Sequence, residues 1–194
     1  GAEALANGVW VPVACDPELH GTHPLPKRWD VACVGTEGGV PRKFYLQALR
    51  ERYANSFIGH APHTELGAIY SQARIGFNYS IRDDVNMRVF EILCSGTLLV
   101  TNRLPHDDLT RLGLREGEHL VTYRRPQELF ERIDSYLARD QEREAIGLRG
   151  MRHVQRHHTY HHRLQQILQA ADERLGIRLL RGSSSDIEVP TCAS

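Results

Sequence analysis

The chain has 194 residues, with 24 Lys+Arg against 24 Asp+Glu, 41% hydrophobic and 25% charged residues. That length supports one domain with extensions and buries roughly 70% of the unfolded surface, so a core can form without a metal or disulfide staple. The formal charge of zero, with 11 His taken as neutral, argues against a protein that wraps duplex nucleic acid, and no apolar run approaches the ~18 residues of a membrane-spanning helix.

Residues 1–29 do not read as the start of a domain. VWVPVA (9–14) is a short extended run with no partner element before it. The following CDPELHGTHPLPKRW is rich in Pro, His and Gly. The segment is expected to be a leading arm or a linker between domains, which makes the chain a piece of something longer. It lacks the basic-then-apolar pattern of a secretory leader. Four cysteines, Cys15, Cys33, Cys94 and Cys192, are scattered without a CxxC pair. Cys33 and Cys94 lie in apolar runs and read as small core residues. A reducing, cytoplasmic setting is expected, while the even count leaves disulfides formally open.

From Asp30 onward the pattern is regular. DVACVGT (30–36) is an apolar strand run closed by Gly35, and PRKFYLQALRERY (41–53) has helical spacing with Pro41 at its start. NSFIG (55–59) is a second strand, TELGAIYSQA (64–73) a helix, and RIGFNYS (74–80) a third strand. DDVNMRVFEILCSG (83–96) is a helix ending at a glycine, followed by strands TLLVTN (97–102) and HLVTY (119–123) and the helix PQELFERIDSYLAR (126–139). Residues 140–175 are one or two further helices bent at His157–Thr159. The small, polar tail over 181–194 is expected to be mobile. Short, continuous apolar strands between amphipathic helices mean a sheet covered on both faces. The fold class is therefore α/β, a Rossmann-like three-layer sandwich with a mostly parallel sheet.

Ligands in such folds sit beyond the carboxyl ends of the strands. After the first strand, Gly35-Thr36-Glu37-Gly38-Gly39 leads into a helix start bearing Arg42 and Lys43. This is either a phosphate-holding turn or a glycine turn with solvated cations. After the second strand, His60 and His63 flank Pro62, facing either a base or sugar or merely water. After the third comes the richest segment, Asn78 to Glu91, which includes Ser80, Asp83 and Arg88. The amides of Asn86 and Met87 fall in the first helical turn and have no intrahelical acceptor, which suits a diphosphate. Glu91, flanked by Phe90 and Ile92, is expensive to bury unless it is hydrogen-bonded. Either ribose hydroxyls meet it, or a nearby arginine does, with Asp83 or Asp84 serving as a helix cap. On the next loop, Arg103 and His106 are candidate acceptor-side or phosphate contacts.

His153, His157, His158, His161 and His162 stack in pairs if one helix runs through them. Two imidazoles at that spacing can hold zinc, but HExxH is absent and Arg152, Arg156 and Arg163 add charge of the wrong sign. A helix pair with packed imidazoles is the simpler reading, catalytic use a third. Such a cluster responds to acid near pH ~6.

NMRVFEILCSGTLLVTN (86–102) resembles the nucleotide-sugar-binding half of GT-B glycosyltransferases, of the CgeB-like, glycosyltransferase family 4-like (group 1) kind. HTYHHRLQQIL (158–168), WDVACVGT (29–36) and VWVPVACDPELH (9–20) resemble that family's late helix, first strand of the half-domain and interdomain segment. The resemblance implies a single GT-B half-domain with C-terminal helices over 30–175, an arm or linker over 1–29 and a tail over 176–194. The family pattern of two acids separated by seven residues falls on Asp83 and Glu91. Asp83 departs from the usual Glu, and its position implies contact with the donor sugar. Glu91 implies binding of the ribose hydroxyls. Asn86 and Met87 fall where the diphosphate meets backbone amides, although glycine is common at the first position. Gly35, Ser80 and Arg88 belong to the same binding set, Arg42 or Lys43 to the neutralising cations, and His60 to the loop lining the base. The implied activity is transfer of a sugar from a nucleoside-diphosphate sugar to an acceptor, with no cofactor or metal, in keeping with the absence of a DxD motif. An N-terminal acceptor-binding domain is the implied missing partner, so little turnover is expected from this chain alone. The alternative is a non-catalytic nucleotide-sugar-binding or protein-interaction module.

Overall fold

The structure is a computed structural model and describes residues 8–104 and 107–176. His106, Cys192 and the tail expected over 181–194 lie outside the described residues.

After a single-turn helix α1 (Pro17–His20), the chain alternates strands and helices. It runs β1 (Trp29–Val34), α2 (Arg42–Arg52), β2 (Ser56–Gly59), α3 (Leu66–Ser71), β3 (Ala73–Asn78), α4 (Met87–Cys94) and β4 (Leu98–Asn102). Then come α5 (Asp108–Arg111), β5 (Val121–Tyr123), α6 (Pro126–Leu137), α7 (Asp140–His157) and α8 (Tyr160–Leu175). The strands form one sheet in the order β2-β1-β3-β4-β5, and every pair is parallel. Parallel neighbours cannot be joined by a hairpin, so helices cross over the faces and cover both. The α/β sandwich read from the apolar runs is the fold observed.

The strand period of two divides the core. Val31, Cys33, Ile75, Phe77 and Val100 point to one face, where α2 and α6 supply Leu46, Leu49, Leu129 and Ile133. Ala32, Val34 and Leu99 point to the other, against Ile69 and Tyr70 of α3 and Phe90 and Leu93 of α4. Each fully buried Leu, Ile or Phe side chain contributes about 1.5–3 kcal/mol of transfer free energy. Helix α4 is buried almost all round, with Val89, Phe90, Ile92, Leu93 and Cys94 each at most 1% exposed. Helix α7 packs on α4, β4 and α6. It approaches closely because Gly147 and Gly150 carry no Cβ, which would strike the carbonyl oxygens of Gly96 and His119.

The bend expected at His157–Thr159 is the break between α7 and α8. The α8 N-terminus is closed by reciprocal hydrogen bonding between Thr159 and His162. The segment before β1 is tied to this corner. Cys15 N–H donates to the His158 carbonyl at 3.0 Å, and Tyr160 N–H donates to Cys15 O at 3.1 Å. Ala14 and Cys15 are fully buried. Helix α1, hidden in the sequence among Pro, His and Gly, starts where the Asp16 carboxylate accepts from Glu18 N–H at 3.0 Å. The helix expected to begin at Asp83 instead starts at Met87, behind an irregular turn.

Strand β1 lies between β2 and β3, so the chain reverses its direction of travel across the sheet there. Ligands of open parallel sheets bind at such a switch point, outside the carboxyl ends of the strands. Here those ends are Val34-Gly35 and Asn78-Tyr79.

Candidate nucleotide site at the switch point

Gly35 follows β1 with φ +137. A Cβ there would collide with Arg88 Nη2 and stand 3.5 Å from Arg42 Nη2. Two guanidinium groups therefore converge on this glycine. Arg88 is braced across the strand ends, its Nε donating to Val34 O at 2.7 Å and its Nη1 to Asn78 Oδ1 at 3.1 Å. Asn78 is fixed in turn by donating to Thr101 Oγ1 at 3.0 Å. Arg42, in the first turn of α2, is only 5% exposed, yet its Nε and Nη2 are buried with no hydrogen-bond partner. A buried donor left unmade costs about 1–3 kcal/mol, and more when charged.

The N-terminus of α4 meets the same place. Asn86 occupies the cap position without a side-chain cap bond, and its Oδ1 is buried and unpartnered. Asn86 O accepts from Val89 N–H at 3.2 Å. The amides of Met87 and Arg88 stay uncommitted at the positive end of the helix dipole. Neither Asp83 nor Asp84 caps the helix. Ser80 Oγ donates to Asp84 Oδ1 at 2.6 Å and accepts from Asp84 N–H at 3.0 Å. Asn102 clamps the Ser80 backbone on both sides, at 2.7 and 3.3 Å. These bonds hold the 80–84 turn, in which Asp83 takes the left-handed φ of 54.

One turn into α4, Glu91 is 7% exposed, and its carboxylate makes no hydrogen bond or ion pair among the described residues. Burial pushes its carboxyl pKa up, opposed by the positive Arg88 and by His63. A cavity of about 300 Å³ joins these groups, lined by Arg42, Asn86, Met87, Arg88 and Glu91. Cations, free helix amides and an unsatisfied carboxylate thus surround one space, which suits an anion joined to a hydroxyl-bearing group.

A second cavity of about 430 Å³ opens beside it, and Tyr79 lines both. Tyr45 of α2 stacks on Tyr79 with ring centroids 5.0 Å apart. Tyr123 at the end of β5 lines this cavity, and its hydroxyl is buried without a partner. Burial raises the Tyr123 pKa well above the ordinary phenol range, so the hydroxyl keeps its proton. Asp83, Arg103 and Arg124 complete the polar lining.

Of the site residues read from the sequence, the structure gathers Arg42, Asn86, Met87, Arg88 and Glu91 around the first cavity, with Gly35 against Arg88 and Arg42. Ser80 holds the adjoining turn, and Asp83 faces the second cavity. Lys43 and His60 are exposed and line neither space. On the loop after β2, His63 rather than His60 is in electrostatic reach of Glu91. Tyr45, Tyr79, Tyr123 and Arg124 were missed by sequence reasoning. For Tyr123 and Arg124 the signal is that β4 and β5 end alike, in VTNR (100–103) and VTYR (121–124).

The histidines form a separate cluster. His153 Nε2 and His158 Nε2 each lie 2.8 Å from Leu112 O, and the His119 and His153 rings meet at a tilt with centroids 4.7 Å apart. Arg163 Nη2 lies 2.8 Å from His158 Nδ1, and its Nε donates to Pro12 O at 2.8 Å. Desolvation lowers the His158 pKa to about 4. Among the described residues, no group of three or more His, Cys, Asp or Glu is placed to hold a metal ion.

A parallel five-stranded sheet with helices on both faces gives this protein the Rossmann-like fold of a GT-B half-domain. The chain belongs to the family described as glycosyl transferase-like, which it matches over residues 19–169. It is similar to sucrose-phosphate synthase from Thermosynechococcus elongatus, with TM-score 0.61 and 17% identity over 75% of this chain and 38% of that one. It also resembles the C-terminal domain of a glycosyl transferase group 1 family protein (LpcC) from Francisella tularensis, with TM-score 0.56 and 10% identity over 74% of this chain and 97% of that one. A chain of the GtfA/B complex matches with TM-score 0.59 and 11% identity, over 84% of this chain and 39% of that one. At these identities the likeness is one of fold. The chain spans about two fifths of the sucrose-phosphate synthase and GtfA/B chains. No curated protein sequence matches it. Among the described residues, no helix is long and apolar enough to cross a membrane.

Proposed function

We propose that this chain is the donor-binding half of a CgeB-like, family 4-like glycosyltransferase and binds a nucleoside-diphosphate sugar at the switch point. One observation carries the reading. The Arg42 guanidinium is buried beside Arg88 with two nitrogens unpartnered, next to the open N-terminus of α4. A diphosphate satisfies all three at once. Its oxygens accept from Arg42 Nε and Nη2, from Arg88 Nη2 and from the Met87 and Arg88 amides. The ribose then lies against Glu91, whose carboxylate accepts its two hydroxyls, and the base reaches the loop carrying His63.

In transfer, negative charge builds on the departing diphosphate. Fixed cations and helix amides stabilise that charge without reorganising, which lowers the barrier. The acceptor and any base acting on it belong to an N-terminal half preceding the arm over 1–29, so the isolated chain binds donor and turns over weakly. Among the described residues Cys15, Cys33 and Cys94 are buried free thiols, which suits a reducing, cytoplasmic setting.

The test is calorimetric titration of the chain with UDP, GDP and their 2′-deoxy forms, together with inorganic pyrophosphate. Binding of a ribonucleoside diphosphate, weakened by Arg42→Gln and by loss of the 2′-hydroxyl, supports the reading. Absence of binding by both nucleotides defeats it.

A further inference from the structure

The second cavity contains more unsatisfied chemistry than the packing of the fold requires. Strands β4 and β5 pair in the register Val100↔Val121, Thr101↔Thr122, Asn102↔Tyr123. The next position in that register places Arg103 beside Arg124, just past the sheet edge, and Arg103 N–H donates to Tyr123 O at 2.8 Å. Like charges side by side on neighbouring strands are unfavourable, and both arginines line the cavity. Neither guanidinium pairs with a carboxylate among the described residues. Glu128, the acid that senses Arg124, is engaged by the Arg124 backbone N–H at 2.9 Å and by Arg132 at 3.3 Å. The cavity also holds the buried, unpartnered Tyr123 hydroxyl, the stacked Tyr45–Tyr79 pair and Asp83 in its left-handed turn.

These groups ask for a single kind of ligand. The aromatic wall suits the flat face of a saturated ring, and the Tyr123 hydroxyl and the Asp83 carboxylate suit ring hydroxyls. Two adjacent guanidinium groups suit a carboxylate, whose planar pair of oxygens matches their forks. Because Tyr79 lines both cavities, a group attached to a diphosphate in the first enters the second. We infer that the second cavity receives the glycosyl group of the donor and selects an acidic one, a hexuronosyl group, with Arg103 and Arg124 reading its carboxylate and Tyr123 a ring hydroxyl. This rests on the donor-site reading above.

The experiment measures dissociation constants of the chain for UDP, UDP-glucose and UDP-glucuronic acid, with GDP, GDP-mannose and GDP-mannuronic acid as a parallel series. Free glucuronate is added as a control. With the preferred base, the uronic donor is expected to bind about tenfold more tightly than its neutral counterpart, the scale of a charge-assisted hydrogen bond. Arg103→Gln and Arg124→Gln each lower that preference, and together they bring it to about one. Tyr123→Phe, which keeps the ring in place, weakens both sugar nucleotides several-fold relative to the bare diphosphate. A diphosphate that binds while uronic and neutral donors are held equally overturns the inference and leaves the donor site standing. The same holds for a preference that survives the double variant, or for free glucuronate binding as well as the nucleotide form. If neither UDP nor GDP binds, the donor site itself fails, and this assignment with it.

Discussion

Arg42→Met separates a residue kept for binding from one kept for folding, because the two roles predict opposite signs. Arg42 is 5% exposed, and two of its nitrogens are buried without partners. Each unmade buried donor costs about 1–3 kcal/mol, while methionine retains most of the stem and removes the donors and the charge. Some of the gain is lost with the packing of the outer stem, which lies close to Gly38. The net expectation is a free chain more stable by about 1–3 kcal/mol, and replacement of buried charges by apolar groups commonly has this sign. At about 2–4 °C per kcal/mol for a domain of this size, Tm rises by several degrees. Affinity for UDP or GDP moves the other way. Losing charge-assisted bonds to phosphate costs about 1.5–3 kcal/mol, a factor of about 10 to 150 in Kd. Thermal and urea unfolding of the free chain measure the first effect, and calorimetric titration measures the second. A variant that melts several degrees lower and binds nucleotide as before would show that Arg42 braces the α2 start, and would refute the argument.

Glu91→Gln is expected to leave the fold intact and weaken ribonucleoside diphosphates about tenfold. It should also erase the preference for UDP over its 2′-deoxy form, and a preserved preference in titration would move the ribose elsewhere. Asp83→Gly relieves a left-handed φ of 54 and is expected to stabilise the free chain by about 1 kcal/mol in urea unfolding. A destabilised variant would instead tie the Asp83 carboxylate to the turn. His158 is 7% exposed and its pKa is lowered from 6.5 to about 4 by burial, with Arg163, His153 and His157 around it. The unfolded chain therefore takes up a proton between about pH 6.5 and 4 that the fold refuses, so stability is full above that window and falls by about 3 kcal/mol through it. Urea unfolding at several pH values, repeated on His158→Gln, should show the slope flattened in the variant.

The sheet was legible because its strands are short, apolar and uninterrupted, as strands covered on both faces must be. The helices over them carry regular spacing. What stayed hidden was structure made by side chains rather than by periodicity. Asp16 caps α1 within a stretch whose composition reads as loop. Asp83 and Asp84 look like a cap for α4, but Ser80 and Asn102 hold them in a separate turn, and the helix waits for Asn86. Within the site, Glu91 was readable as an acid in an apolar helix. The convergence of Arg42 and Arg88 on Gly35 was not, because it depends on how far each helix stands from the strand ends. Arg124 and Tyr123 were reachable only by aligning the ends of two strands whose pairing was unknown.

The charge balance of the chain gains meaning from where its arginines sit. On α6 and α7 several acids hold arginines, with Arg52 paired to Asp134, Arg132 to Glu128, Arg139 to Glu142 and Arg143 to Asp140. At the carboxyl edge of the sheet, Arg42, Arg88, Arg103 and Arg124 have no carboxylate partner among the described residues. Surface ion pairs contribute little to stability individually, so the matched set does not make the fold. The four unpaired guanidinium groups at this edge supply the positive field a ligand meets there. A neutral protein can thus present a locally cationic cleft, which attracts a compact anion without the broad charge that holds a nucleic acid. The same arrangement makes nucleotide affinity fall as salt rises, because mobile ions screen the exposed cations.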